Sequence, residues 1–173
     1  MKKIANLLAL TLVLLISCQA AIAQPTPTIT KKYTNAEIEK FIDGYNALRS
    51  HDTHPSTALQ QQLAKDFPNA RDIDWEMAAN VYEAEFEIGR TDYKAYYDAD
   101  GNLLAYSIDI RESQVPAIVK NAAASKYPNC KMDDSKKIVQ GTEVFYKVEM
   151  EKRKFEAKAL FSQNGAFIKE LHN

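Results

Sequence analysis

Two stretches with strict alternation decide the fold: residues 81–87 (VYEAEFE) and residues 145–151 (FYKVEME). In the first, aromatic and aliphatic side chains fall on one side of an extended chain and three glutamates fall on the other. The second stretch has the same order of apolar and charged positions. This period of two predicts antiparallel strands that bury one face and leave the other wet.

These two stretches belong to an internal repeat. They lie 64 residues apart, and the same offset maps the turn at 98–101 (DADG) onto 162–165 (SQNG). Upstream, residues 67–70 (FPNA) match 127–130 (YPNC) at an offset of 60, which indicates a four-residue insertion near Gly141. Self-similarity of this kind predicts two copies of one supersecondary unit.

Each copy is predicted to be a helix followed by about four strands. Pro68 and Pro128 end the two helices, because the residue before proline disfavours helical geometry. Strands of weaker pattern are predicted at 72–76 and 131–138, before the alternating stretches. The sequence therefore predicts an α+β fold in which two tandem helix-plus-four-strand units form an antiparallel sheet, with the helices packed on one face.

An additional helix precedes the first unit. Thr34 and Glu37 form a capping box, in which the side chain of each residue accepts a hydrogen bond from the backbone N–H of the other. Apolar residues then recur at helical spacing. We predict a helix over residues 35–49.

The N-terminus carries an export signal. Two lysines precede an apolar stretch at 4–16, and a small-x-small site ends at Ala23, which together predict a cleaved signal peptide over residues 1–23. Residues 15–18 (LISC) also resemble a bacterial lipobox, in which Cys18 would be acylated. Either route places the protein in the periplasm, outside the cell, or anchored to a membrane by lipid.

The remaining chain divides into a flexible tether at 24–33, a first unit with the extra helix at 34–110, and a second unit at 111–173. Without the signal peptide, 20 basic residues face 23 acidic ones, so the excess of Lys and Arg that nucleic acids require is absent. Cys130 is then the one cysteine besides a lipidated Cys18. We predict that it acts as a small buried apolar residue.

The sequence resembles the PepSY-like, β-lactamase-inhibitor-like periplasmic proteins of Bacteroidetes-type bacteria. The resemblance rests on four features that each occur twice behind a signal peptide: the helix, the aromatic-Pro-Asn motif, the alternating strand and the glycine hairpin. The resemblance covers roughly residues 55–171. It implies two tandem α/β units forming an antiparallel sheet with helices on one side, and leaves open whether the two units share one continuous sheet. In the inhibitor after which the family is named, the open sheet face grips a partner enzyme, but no contact residue of that inhibitor matches here. The helix at 35–49 departs from the pattern.

Catalytic and metal-binding motifs do not emerge from the pattern. His51 and His54 lack a third ligand nearby, and His172 lies at the C-terminus. The turn at 98–102 has its glycine too early for a calcium-binding loop. The glutamates of residues 81–87 are predicted to be solvated. We predict no catalytic residue, no metal, no cofactor and no enzymatic activity.

The sheet face turned away from the helices is the candidate binding surface. A hairpin that pairs Tyr97 with Leu103 and Tyr93 with Ser107 puts tyrosines and aliphatic residues on that face, among charges, as in protein interfaces. The predicted partner-binding residues are Tyr96, Leu104, Tyr106, Ile108, Phe145, Leu160 and Ile168.

Two functions from different classes follow from this face and from the predicted core. The first is an exported, non-enzymatic module that binds an envelope protein or peptide, with inhibition of an envelope enzyme as its sharper form. The second is a periplasmic carrier or sensor of a small apolar ligand held between helices and sheet. The N-terminal helix or a second chain could also cover part of the open face.

Overall fold

The computed structural model describes residues 26–29, 32–48 and 53–171, and within the N-terminal helix the side chains of residues 35–41 and 46. The predicted signal peptide at 1–23, Cys18, Arg49, His51 and His172 lie outside the described residues.

One eight-stranded antiparallel sheet dominates the described chain, and its strands lie side by side in chain order. The expectation of an antiparallel α+β fold is confirmed, and β4 pairs with β5, so the sheet is continuous. The strands are β1 (Arg71–Ala78), β2 (Val81–Ile88), β3 (Thr91–Asp98), β4 (Leu103–Asp109), β5 (Lys131–Gln140), β6 (Glu143–Lys152), β7 (Phe155–Ser162) and β8 (Phe167–Leu171).

Three helices accompany the sheet: α1 (Asn35–Leu48), α2 (Thr57–Asp66) and α3 (Ala117–Lys126). The capping box of α1 is present, since the Glu37 carboxylate accepts hydrogen bonds from the backbone N–H and the hydroxyl of Thr34. Ser56 caps α2 by accepting the backbone N–H of Leu59. Both α2 and α3 end two residues before a proline, as the sequence predicts.

The cores of the protein lie between the sheet and the helices α2 and α3. Under α2, buried aromatic residues pack together, with Phe67 and Phe86 ring centroids 4.9 Å apart. Under α3, Val119, Val148 and Phe161 are fully buried. Cys130 is a partly buried thiol packed against this second cluster. These are the apolar faces that the alternating strands predict.

The helix α1 lies on the opposite face of the sheet, so the expectation that all helices pack on one face is wrong for α1. Ile38 of α1 is 2% exposed and belongs to a buried cluster with Ala78, Val81, Leu104 and Ala105. Burying these apolar side chains against each other removes them from water, which holds α1 to this face. A pattern of apolar positions shows that a helix has a buried side but not which face of the sheet it covers.

A β-bulge in β4 changes the predicted hairpin register. Tyr97 pairs with Leu103, as expected, but Tyr93 pairs with Ile108 and not with Ser107, because the register shifts by one residue at Leu104. Every residue of β4 after the bulge therefore faces the side opposite to the one predicted.

The order of one helix and four strands occurs twice in the described chain, first with α2 and β1 to β4 and then with α3 and β5 to β8. The duplication of one ancestral unit stays a prediction from the sequence.

Candidate binding surface on the open sheet face

We define the open face as the sheet surface opposite α2 and α3. Four of the seven predicted partner-binding residues lie on it: Tyr96, Leu104, Phe145 and Leu160. Leu104 is 1% exposed because α1 covers it. Ile168 occupies the corresponding bulge of β8 and is 47% exposed.

The side chains of Tyr106 and Ile108 do not lie on the open face. Tyr106 pairs with Ala95 and Ile108 pairs with Tyr93, and all four side chains belong to the core cluster under α2. Their predicted placement is wrong because the bulge at Leu104 reverses the alternation of β4. Ala105 and Ser107 occupy the open-face positions instead, and their small side chains leave space there.

Polar contacts at several points attach α1 to the open face. The side-chain amide of Gln140 donates a hydrogen bond to the backbone carbonyl of Asn35. Lys169 of β8 forms an ion pair with Glu39 at 2.9 Å.

A cavity of about 380 Å³ lies on the open face beside α1, and we call it the α1 cleft. Asn46 of α1 forms part of its wall, and the central strands form its floor. The residues that line it are Asn46, Glu83, Lys94, Tyr96, Ala105, Tyr106, Ser107, Lys136, Ile138, Gln140 and Lys147.

A buried acidic group lies at one end of the α1 cleft. Glu83 is 3% exposed, which corrects the expectation that all three glutamates of β2 are solvated. Lys94 donates to Glu83 at 2.9 Å and contacts Glu85 at 2.8 Å. Burial by itself would lower the pKa of Lys94, but hydrogen bonds to Glu85 and Glu83 outweigh it, so the pKa lies above its usual value. Lys94 therefore stays charged and compensates the buried carboxylate.

A row of lysines crosses the other side of the open face. Directly opposed residues on neighbouring strands share a face, and pairing runs from Lys136 of β5 through Lys147 of β6 and Leu160 of β7 to Lys169 of β8. We call these four residues the lysine row. Its two outer lysines are each neutralised: Lys136 donates to Asp109 at 2.6 Å, and Lys169 contacts Glu39.

Lys147 is the exception in the lysine row. Within the part of the chain that the structure describes, no carboxylate lies within 4.0 Å of its ammonium group. Glu149 follows two residues later on the same face, but it opposes Lys158, at 3.7 Å. Burial raises the pKa of Glu149, with a further contribution from its hydrogen bond to Glu156.

Asp98 has a structural role in the hairpin turn between β3 and β4. It accepts hydrogen bonds from the backbone amides of Asp100 and Asn102 and from the hydroxyl of Tyr33. Across residues 26–29, 32–48 and 53–171, no group of three or more His, Cys, Asp or Glu side chains is arranged to hold a metal ion.

Sequence reasoning missed the cleft because it depends on the position of α1. One signal was available: at the repeat offset, Lys147 replaces Glu83, so the charge at this one position of the open face reverses between the two halves. The small residues that form the floor, Ala105 and Ser107, could not be assigned to this face without the bulge.

An antiparallel meander with α2 and α3 on one face and α1 on the other defines an α+β protein. Comparison with known families identifies the family of the chain. Residues 80–169 match the family model "Putative beta-lactamase-inhibitor-like, PepSY-like", and this chain belongs to that family.

Solved structures share the fold. A BLIP-like protein from Bacteroides fragilis is 27% identical, with a TM-score of 0.61, and the match covers 69% of this chain and 87% of that one. A DUF2874 family protein from Bacteroides uniformis is 21% identical, with a TM-score of 0.63, over 68% and 89% of the two chains. A structure from Bacteroides eggerthii, described as "putative periplasmic proteins", is 19% identical, with a TM-score of 0.63, over 69% and 89%. No curated protein matches the chain.

The described helices are too short or too polar to cross a membrane.

Proposed function

We propose that this chain is an exported, non-enzymatic module that binds a protein or peptide of the cell envelope through its open sheet face. The observation that carries the proposal is the composition of this face beside α1. Phe145, Leu160 and Ile138 lie among the charges of the lysine row, and such a mixture of apolar and charged groups is typical of protein interfaces.

Family membership supports a binding role. The family is described as β-lactamase-inhibitor-like, and the similar protein from Bacteroides fragilis is described as BLIP-like. Inhibition of an envelope enzyme is therefore the sharper form of the proposal. Export is supported by the basic and apolar N-terminal segment of the sequence and by the description of the Bacteroides eggerthii structure as periplasmic.

The packing of the helix side favours a protein partner over a small apolar ligand. Large side chains fill the space between the sheet and α2, where Phe86 and Tyr97 are at most 1% exposed. Under α3, Val119 and Phe161 are equally buried. A ligand between these layers would have to displace a close-packed core.

Site-specific photocrosslinking tests the proposed surface. A photoreactive phenylalanine analogue replaces Leu160 on the open face in one variant, and it replaces Ala124, an exposed residue of α3, in the matched control. Both proteins are expressed in native cells and irradiated, and adducts are identified by mass spectrometry. We expect one discrete protein adduct from position 160 and none from position 124.

Two outcomes contradict this proposal. Adducts of equal yield from both positions would show contact without a preferred face. The absence of any adduct from position 160, in a variant that melts like the wild type, would show that no partner occupies the open face.

A further inference from the structure

We infer that Lys147 binds a carboxylate of the partner, so that the open face recognises an acidic segment of a protein. This inference rests on the proposed function and specifies which chemical group is recognised. It starts from the lysine row, in which two lysines contact a carboxylate and the one between them contacts none among the described side chains.

The chain itself provides the precedent. Glu39 extends from α1, a segment lying on the open face, and its carboxylate contacts Lys169 at the end of the row. An acidic side chain on a bound segment is therefore an arrangement that this surface already accommodates once. A second carboxylate, bound at Lys147, would give every lysine of the row an acidic partner.

The position of Lys147 makes an added carboxylate favourable. Lys136 is directly opposite on β5, but its charge is already compensated by Asp109. An added carboxylate would therefore pair with Lys147 and not with Lys136. The two lysines are only partly exposed, so screening by salt and water is weaker than at a fully exposed site.

The surroundings of Lys147 select for a protein segment and not for a bare anion. Leu160 lies directly opposite on β7, Phe145 precedes Lys147 by two residues on the same face, and Ile138 opposes Phe145. A ligand that places a carboxylate on the ammonium group would also cover these apolar side chains. A peptide with glutamate next to apolar residues has that combination of groups.

The charge at the other end of the α1 cleft determines where on the open face an acidic segment would bind. Glu83 and Glu85 share the single Lys94, which leaves a negative excess there. An acidic segment is repelled from that end and attracted to Lys147. The cleft therefore favours acidic groups over β5 to β7 and disfavours them over β2 and β3.

The test measures peptide affinity directly and needs no knowledge of the natural partner. The probes are the capped peptide Ac-Phe-Glu-Leu-Glu-Phe-NH₂, its analogue with Gln in place of both Glu residues, and sodium acetate. Binding to the full mature chain is followed by calorimetry and by NMR of the lysine side chains. The variants are Lys147→Gln, Lys147→Arg and, as a matched control for loss of one charge, Lys154→Gln in the exposed turn after β6.

We expect the wild type to bind the Glu peptide about tenfold more tightly than the Gln peptide, as one charge-assisted hydrogen bond requires. Lys147→Gln should lose this preference, while Lys147→Arg and Lys154→Gln should keep it. Added salt should weaken binding of the Glu peptide more than binding of the Gln peptide.

Several results would overturn the inference. One is no measurable binding of the Glu peptide, and another is equal affinity of the wild type for both peptides. An unchanged preference in Lys147→Gln would place the carboxylate site elsewhere. Displacement of the Glu peptide by an equal concentration of acetate would mean that small carboxylates, not protein segments, are bound. The peptide preference could depend on Lys147 while the crosslinking test fails. That combination would count against the proposed function alone and not against the carboxylate site.

Discussion

The attachment of α1 to the open face provides the sharpest structural prediction. Ile38 is 2% exposed in a cluster with Val81 and Leu104, and Ile38→Ala deletes three of its carbon atoms. At about 0.8 kcal/mol for each carbon, the lost burial is about 2.4 kcal/mol. The cavity that remains raises the cost towards about 4 kcal/mol if the neighbours do not relax.

This free energy acts mainly on the docking of α1. The cluster around Ile38 lies on the opposite face from the cores under α2 and α3, so the sheet keeps both of those cores in the variant. The lower bound of about 2.4 kcal/mol corresponds to an increase of about 50-fold in the population of undocked α1. Amide hydrogen exchange followed by mass spectrometry should show this increase in peptides from residues 35–48, with little change in β2 or β6.

The matched control is Lys40→Ala, which changes an exposed neighbour in the same helix. Its exchange should stay within about twofold of the wild type, because exposed substitutions alter stability little. Equal exchange of α1 in wild type and Ile38→Ala would refute the reasoning. Faster exchange spread evenly over β1 to β4 would refute it too, since α1 and the sheet would then unfold together.

Three further predictions concern a turn, two tyrosines and a helix cap. Gly141→Ala should lower the free energy of unfolding by about 1–3 kcal/mol in urea titrations, because Gly141 has φ +56° and the added methyl would overlap Oδ1 of Asn35; a stabilised variant would contradict this. Burial raises the pKa of Tyr97 and of Tyr127 in the folded protein. Above about pH 10 the two phenols therefore ionise in the unfolded chain but not in the folded one. The free energy of unfolding should then fall by about 1.4 kcal/mol per pH unit for each tyrosine. Absorbance at 295 nm should show these two phenols ionising only with unfolding, and their ionisation near pH 10 in the folded protein would oppose the prediction. Ser56→Ala should cost about 1 kcal/mol by thermal unfolding, with Ser56→Asp restoring most of it, and no change in either variant would argue against the cap.

Local patterns in the sequence contain much of the fold. The strands at residues 81–87 and 145–151 were predictable because a half-buried strand has a period of two that needs no knowledge of its neighbours. The capping box at Thr34 and the prolines after α2 and α3 are also local, and they locate helix ends to within a residue or two.

The composition of the candidate site was harder to predict from the sequence, because the bulge residue in β4 changes which side chains lie there. The bulge at Leu104 moves Tyr106 into the core and brings Ser107 to the open face, which turns an expected apolar patch into part of a polar cleft. The period of two in this hairpin does not show the bulge, because alternation alone fits the regular register as well. The same irregularity recurs at Ile168 in the second hairpin, at the repeat offset of 64 residues.

The sequence by itself determined the class of the fold, the order of its elements and the buried side of most strands, because these follow from hydrophobic periodicity and backbone chemistry along a short stretch of chain. Only the tertiary structure decided the face that α1 covers, the burial of Glu83 and the position of Lys147 between two neutralised lysines. Those features depend on contacts between residues up to 130 positions apart, such as Glu39 and Lys169. Distances of that kind are set by the packing of whole elements and not by any local pattern.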